Sequence, residues 1–245
     1  AVIRREPLRF SFKQHLRFAA LGACLFSTNL LMYYNAGLTV NSGLLAVFFS
    51  LAAIVNPLLA TVVLKQPLQP RLLVAAFVGI FGVMLMFGPD ALLDNKDGVG
   101  RGLLFAAMGT LLFSSGNMIS GRIQYAGISV FSANAWGMVY GSTVLGVVAL
   151  VNGRPFIIEP TLPYVGSMLW TIVFSSVIAF FVYLTLLGRI GAARTSYTTV
   201  LFPVLALLIS TLFENYHWTP LGGVGLLCVL GGNLMGMVRR SSEQG

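Results

Sequence analysis

Neutral polar and aromatic side chains recur at helical spacing within the apolar stretches of this chain. Asn29 and Tyr33 are four residues apart, and so are Trp136 and Tyr140. Residues four apart lie on the same face of an α-helix. Aromatic walls with a few hydrogen-bonding groups suit reversible binding of a small amphipathic or zwitterionic solute. We therefore predict a substrate-binding cavity lined by these four residues and by Ser175, Ser176, Tyr183 and Tyr197.

Each of these residue types also has a structural role in a membrane. Tyr and Trp form belts at the membrane surface, a role we expect for Tyr34, Trp170 and Trp218. Ser, Thr and Asn bond one helix to another in lipid, which we expect of Ser114, Ser115 and Asn117. The belt and the cavity remain alternatives for Tyr33, Trp136, Tyr140 and Tyr183.

The chain offers little for catalysis. Its two histidines, His15 and His217, fall near opposite membrane edges, and its two cysteines, Cys24 and Cys228, lie within apolar stretches. This set cannot build a zinc site, and a serine nucleophile would need a base within reach. We predict no catalytic residue, no metal and no cofactor, and hence no enzyme.

Composition indicates a membrane protein. Hydrophobic residues make up 57% of the chain and charged residues only 9%, against roughly 25% charged in an average soluble domain. Apolar stretches near 20 residues are read as transmembrane helices. We predict an all-α polytopic protein with eight spans, at about 16–37, 43–64, 70–88, 101–121, 131–151, 164–187, 195–213 and 219–238.

The basic residues predict the orientation of these spans. With the N-terminal segment inside, the outside loops hold only Lys96, Arg101 and Arg154. The inside segments then hold Arg4, Arg5, Arg9, Lys13, Arg17, Lys65, Arg71, Arg122, Arg189, Arg194, Arg239 and Arg240. Basic residues concentrate on the cytoplasmic side of membranes, so both ends are predicted to be cytoplasmic. Because the positive charge lies in short loops, we predict no nucleic-acid partner.

Two similar stretches lie 150 positions apart. "SLAAIVNPLLATVVLKQPLQP" begins at Ser50, and "VLFPVLALLISTLFENYHWTP" begins at Val200. A shift of 150 also places Tyr33 on Tyr183 and Gly82 on Gly232, and it aligns three successive spans. The first aligned span runs outward and its counterpart runs inward. This pattern predicts an inverted-topology repeat, the architecture of many secondary transporters.

Two stretches resemble the EamA family of the drug/metabolite transporter superfamily: "SGLLAVFFSLAAIVNPLLATVVLKQPLQP" at 42–70 and "GAARTSYTTVLFPVLALLISTLFENYHWTPLGGVGLLCVLGGNLMGM" at 191–237. The resemblance implies inverted-topology five-helix repeats with ten spans, of which about eight are present. Residues 1–95 would supply the last three spans of the first repeat, with its N-terminal spans missing. Residues 96–245 would form the complete second repeat.

The family resemblance also implies a function. We expect a transporter in the bacterial inner membrane that exports amino acids, aromatic or otherwise neutral, by alternating access. Drugs or other metabolites are alternative substrates, and an uncoupled facilitator or channel is an alternative mechanism. The expected partners are a small-molecule substrate and membrane lipid, and the expected state is a monomer or weak dimer. Because the spans show no acid, base or histidine near their middles, we expect weak or absent coupling to protons.

Overall fold

A computed structural model describes residues 9–63, 70–87, 98–153, 157, 159–213 and 217–237, without the side chains of 87, 190–202, 236 and 237. The described residues form helices joined by short connections, with no strand among them. Their bounds are α1 Phe12–Ala23, α2 Asn29–Ala36, α3 Ser42–Ser50, α4 Ala52–Val63, α5 Pro70–Phe87, α6 Val99–Tyr125, α7 Val130–Val151, α8 Leu162–Trp170, α9 Phe180–Phe213 and α10 Pro220–Met237.

The predicted all-α membrane architecture is confirmed. Five described helical stretches are long and apolar enough to cross a membrane: Phe12–Ala36, Ser42–Val63, Val99–Tyr125, Val130–Val151 and Leu162–Arg189. Three shorter apolar helices are Pro70–Met86, Pro203–Phe213 and Pro220–Met235. Seven of them coincide with predicted spans to within a few residues at each end, and Pro203–Phe213 covers the second half of the predicted span 195–213.

Polar and proline residues set where several helices begin. The Ser11 backbone N–H donates to Gln14 Oε1 at 2.7 Å, so α1 starts four residues before the predicted span. Before α3 the cap is a side chain, since Asn41 Oδ1 accepts from the Gly43 backbone N–H at 2.9 Å. Such caps satisfy amide groups that the first helical turn leaves without partners. Pro70 and Pro220 open α5 and α10, where proline has no N–H to lose.

One predicted loop is helical instead. The helix α9 runs without a break through 188–194, where the sequence predicted a turn between the sixth and seventh spans. This stretch contains Ala192 and Ala193 and no proline, and alanine is the strongest helix former. The helical stretch 162–213 measures roughly 75 Å at 1.5 Å per residue, more than twice the hydrocarbon core. It therefore still holds two membrane-length segments.

The chain divides into two compact units. One comprises the residues up to Thr28 together with Gly116–Gly191, and the other comprises Asn29–Ser115 with the residues from Ala192 onward. Each unit thus draws on both of the sequence repeats predicted at 1–95 and 96–245. The long stretch 162–213 is shared between the units, which divide at Gly191.

Glycine permits a close helix crossing in the first unit. A Cβ atom at position 22 of α1 would stand 2.5 Å from the Gly137 carbonyl oxygen and 2.8 Å from the Gly141 backbone nitrogen of α7. Only glycine lets two backbones approach so closely, as is common between membrane helices. Beside the crossing, the Phe26 ring packs on Phe180 of α9 with centroids 5.0 Å apart.

Glycine also joins α5 to α10 in the second unit. A Cβ at Gly82 would stand 2.6 Å from the Gly225 carbonyl oxygen, and one at Gly232 would stand 2.7 Å from the Ala75 carbonyl oxygen. As numbers rise along α5, the contacted numbers fall along α10, so the two helices are antiparallel. The crossing lies in a core cluster formed by Val47, Leu51, Ile54, Ala75, Val83, Met86, Leu207 and Val229.

This antiparallel pair carries the symmetry of the inverted repeat. A shift of 150 converts Gly82 into Gly232 and Ala75 into Gly225, so the contact between positions 82 and 225 becomes the contact between 232 and 75. A two-fold axis that exchanges two antiparallel helices must be perpendicular to the helix axes. In helices that cross a membrane, such an axis lies in the membrane plane, as it does in inverted-repeat transporters.

The repeat is also visible in two π-helical segments. The first spans Cys24–Thr28 between α1 and α2, and the second spans Thr171–Ala179 between α8 and α9. A shift of 150 places the first inside the second. Ser27 Oγ donates to the carbonyl oxygens of Gly22 at 3.0 Å and Ala23 at 3.1 Å, so its hydroxyl group is satisfied by its own helix. Short π-helical insertions are frequent at functional sites.

The glycine crossing yields a prediction with a neighbouring control. We expect Gly232→Ala to lower the stability of the folded protein by about 1–3 kcal/mol, because the added methyl group collides with the α5 backbone. Gly231→Ala is the control, since a Cβ at Gly231 has no atom within 4 Å. Thermal unfolding of both variants in detergent measures the difference. Equal midpoints would show that the crossing tolerates a side chain.

Candidate functional site

Two of the predicted substrate-binding residues lie side by side in the first unit. Trp136 and Tyr140 lie on one face of α7, with ring centroids 6.1 Å apart. Their spacing of four residues predicted this shared face. Both side chains are half-buried. The pair therefore presents an indole and a phenol side by side within a membrane-length helix.

His15 completes this pair, and sequence reasoning missed it. The Tyr140 hydroxyl and His15 Nδ1 are 3.0 Å apart, and the imidazole stands edge to face with Trp136 at a centroid distance of 4.6 Å. Phe10 and Phe18 pack edge to face on the same imidazole. We call these five residues the His15 cluster: Phe10, His15, Phe18, Trp136 and Tyr140.

A signal for His15 was present in the sequence. Ser11 and Gln14 have the spacing of a capping box, which places a helix start at this point. His15 then lies inside α1, on the same face as Phe18, three residues later. The predicted span began at residue 16, where the hydropathy rises, and so left His15 in the preceding loop.

Tyr183 belongs to a different cluster of the first unit. Asn117 Nδ2 donates to the Tyr183 hydroxyl at 3.2 Å, which joins α6 to α9. Two turns further along α6, Gln124 Nε2 donates to the Leu184 carbonyl oxygen at 3.1 Å and to Ser120 Oγ at 3.2 Å. Asn117 was expected to bond helix to helix, and it does so. Tyr183 is thus held by a neutral amide and carries no ionic partner in this bond.

Tyr33 makes a corresponding contact in the second unit. Its hydroxyl lies 2.5 Å from Thr110 Oγ1 of α6, and its ring packs edge to face on Phe49 at 5.5 Å. Tyr33 and Tyr183 are equivalent under the shift of 150, and both bond a neutral polar side chain of α6. The shift of 150 relates the two tyrosines but not their partners, since Thr110 and Asn117 lie on the same helix.

The remaining predicted residues differ in burial. Asn29 is 3% exposed, and no described residue bonds its Oδ1 atom. Ser176 is half-buried, whereas Ser175 is exposed, both within the second π-helical segment. The side chain of Tyr197 lies outside the described residues. The residues expected in the aromatic belt are exposed, as side chains facing headgroups would be: Tyr34, Trp170 and Trp218.

The arrangement suits reversible binding of a solute. Glu159 is the one acidic residue in the described part of the chain, and it lies between α7 and α8. No group of three His, Cys, Asp or Glu in that part could hold a metal ion. Ser115 Oγ donates to the Leu111 carbonyl of its own helix at 2.8 Å. Besides the His15 imidazole, the site residues carry neutral hydroxyl, amide and aromatic groups, which recognise a solute through hydrogen bonds and ring contacts.

Three named proteins are similar to this chain. Protein PecM of Dickeya dadantii (strain 3937) is 27% identical over 80% of this chain and 65% of its own length. The uncharacterized transporter YoaV of Bacillus subtilis (strain 168) is 23% identical over 92% of this chain and 77% of its own. An uncharacterized transporter of Clostridium kluyveri is 25% identical over 89% and 70%. The chain thus spans about two thirds to three quarters of these relatives.

A solved structure and a family match complete the comparison. A crystal structure superposes on 96% of this chain and 81% of its own with a TM-score of 0.64. At 16% sequence identity this likeness concerns the fold alone. The EamA-like transporter family matches residues 100–237, more than half of the chain. The protein belongs to the EamA-like transporter family.

Proposed function

We propose that this protein is a secondary transporter that moves small metabolites across a membrane by alternating access. The observation that carries the proposal is the placing of neutral hydrogen-bonding groups beside aromatic rings inside membrane-length helices. Trp136 with Tyr140 and Tyr183 with Asn117 are the described examples in one unit, and Tyr33 with Thr110 is the example in the other. Polar groups are costly within membrane spans, and those that are present often line substrate pathways.

The substrate class follows from the kind of groups that are present. Indole and phenol rings favour solutes with apolar or aromatic parts, and hydroxyl and amide groups satisfy a small number of polar atoms. We propose amino acids, aromatic or otherwise neutral, as the exported substrates. Other metabolites and drugs of similar size are the alternative substrates.

The basic residues support a location and an orientation. In the described part of the chain, Lys13 and Arg17 lie in the first turns of α1, and Arg122 lies in the last turn of α6. These helix ends would face the cytoplasm under the positive-inside rule. We propose the bacterial inner membrane as the location, with both chain ends cytoplasmic.

The direct test is uptake by proteoliposomes that contain the purified protein. Amino acids, sugars and cationic drugs are offered separately, with and without an imposed pH gradient. Saturable, stereoselective uptake of one class supports a transporter. Flux near channel rates without saturation would favour a pore of the same fold, and no flux above protein-free vesicles for any class would contradict the proposal.

The site assignment gives a mutational prediction. We expect Trp136→Ala and Tyr183→Ala each to reduce transport by roughly tenfold or more, as truncating a central aromatic contact commonly does. The protein should remain folded in the membrane, which size-exclusion chromatography in detergent checks. Trp170→Ala is the matched control, since Trp170 is 63% exposed. Normal transport in both Trp136→Ala and Tyr183→Ala would exclude these residues from the substrate pathway.

Energy coupling gives a second prediction. A proton-driven exporter needs a group that binds a proton on one side of the membrane and releases it on the other. The described spans contain no acidic residue, and His15 lies at one end of its span. We expect an imposed pH gradient to cause no substrate accumulation in proteoliposomes with equal substrate on both sides. Accumulation that a protonophore abolishes would identify a coupled antiporter instead.

A further inference from the structure

The His15 cluster contains a titratable side chain against two predicted substrate residues. His15 is the fourth residue of α1, half-buried among the rings of Phe10, Phe18, Trp136 and Tyr140. Histidine is the side chain whose charge ordinarily changes within the physiological pH range. A change of charge at this position would act directly on the indole and the phenol of α7.

Protonation changes the hydrogen bond between His15 and Tyr140. In a neutral imidazole whose Nδ1 carries no hydrogen, Nδ1 accepts a hydrogen bond from the Tyr140 hydroxyl group. The Tyr140 O–H is then not available to any other acceptor. In the imidazolium both ring nitrogens are donors, so Tyr140 must accept across the same 3.0 Å contact. Its O–H then becomes available to another acceptor.

Trp136 supplies a second donor and stabilises the charge. Its Nε1 atom is buried, and none of the described residues accepts its N–H. The imidazole and indole centroids are 4.6 Å apart, within the distance at which a cation is attracted to an aromatic ring. The protonated cluster therefore combines one positive charge with two donors, the Trp136 N–H and the Tyr140 O–H.

The charged groups around His15 leave this cation without a carboxylate partner in the described residues. Lys13 and Arg17 flank it on α1, and Arg9 precedes them. The helix α7 has no charged residue, and Tyr140 is its titratable group facing His15. The other helices of this unit bring Arg122 and Arg189, both exposed, while Glu159 follows the far end of α7. Glu6 lies outside the described residues.

We propose that His15 binds a proton and that the protonated His15 cluster then binds the carboxylate of a small aromatic or apolar acid. This inference rests on the proposed function. It assigns a negative charge to the transported solute and makes cytoplasmic pH the regulator of the affinity for that solute. A proton that enters and leaves at one end of α1 changes affinity without driving transport. Weak coupling and pH-sensitive affinity are therefore compatible.

Proton and carboxylate binding must then be linked in both directions. If the acid binds the protonated cluster more tightly, the acid must also raise the pH at which His15 loses its proton. A tenfold difference in affinity corresponds to a shift of about one pH unit at saturation. This shift can be measured without any transport assay.

The chain has only two histidines, which makes the measurement direct. The protein is labelled with ¹³C-histidine, purified in uncharged detergent and titrated by NMR. Phenylacetate and its neutral amide, phenylacetamide, are the matched probes. We expect phenylacetate to raise the titration midpoint of His15 by about one pH unit and phenylacetamide to leave it unchanged. The exposed His217 is the internal control and should not respond to either probe.

Variants separate the cluster from general effects. His15→Gln assigns the signal, and Tyr140→Phe should keep the His15 titration while reducing the phenylacetate shift, because it removes one donor. In a Trp170→Phe/Trp218→Phe background, Trp136 is the remaining tryptophan, and acid quenching of its fluorescence should disappear with His15→Gln. Equal shifts with both probes, or no titration of His15 between pH 4 and pH 9, would overturn the proposal.

An anionic lipid headgroup could present the same chemistry as a carboxylic acid. The titration is therefore repeated in nanodiscs of phosphatidylcholine with and without phosphatidylglycerol. A midpoint raised by phosphatidylglycerol and then insensitive to phenylacetate would overturn the assignment to a solute. The phenylacetate shift without measurable transport would contradict the proposed function alone, whereas transport with an unresponsive His15 would contradict this inference alone.

Discussion

Hydrocarbon offers no partner to a hydrogen-bonding group, and this constraint governs the placing of polar side chains in the protein. Many hydroxyl groups are satisfied by a carbonyl one turn earlier in their own helix, as Thr211 is by Leu207. A smaller set bonds another helix, such as Asn233 with Ser50 at 3.0 Å, where both residues are fully buried. These cross-helix bonds favour the observed pairing of helix faces, because rotating Asn233 away from Ser50 would leave its amide N–H groups without this acceptor.

The same constraint explains why the membrane architecture could be predicted from the sequence. Apolar length, few charges and the interval of 150 residues identified the spans, and Gly82 and Gly232 were already equivalent before their contacts were known. The spacing of Trp136 and Tyr140 predicted their shared face. Periodicity of this kind reports on a single helix, so it predicts correctly which side chains share a face of the same helix.

Contacts between helices could not be predicted in the same way. Tyr183 and Asn117 were both recognised as polar residues in spans, but a separation of 66 positions carries no periodic signal. His15 was missed because hydropathy, and not the cap at Ser11, set the predicted start of the span. The helical course of 188–194 was also missed, since the apolar lengths of the sixth and seventh spans left these residues between them, while the alanines favour a helix.

The crossing of α5 and α10 has a consequence for motion. Packed side chains can exchange rotamers and let two helices slide, but the contacts of Gly82 and Gly232 are with backbone atoms, which have no alternative rotamers. We therefore expect the two helices to move together in any conformational change of this unit.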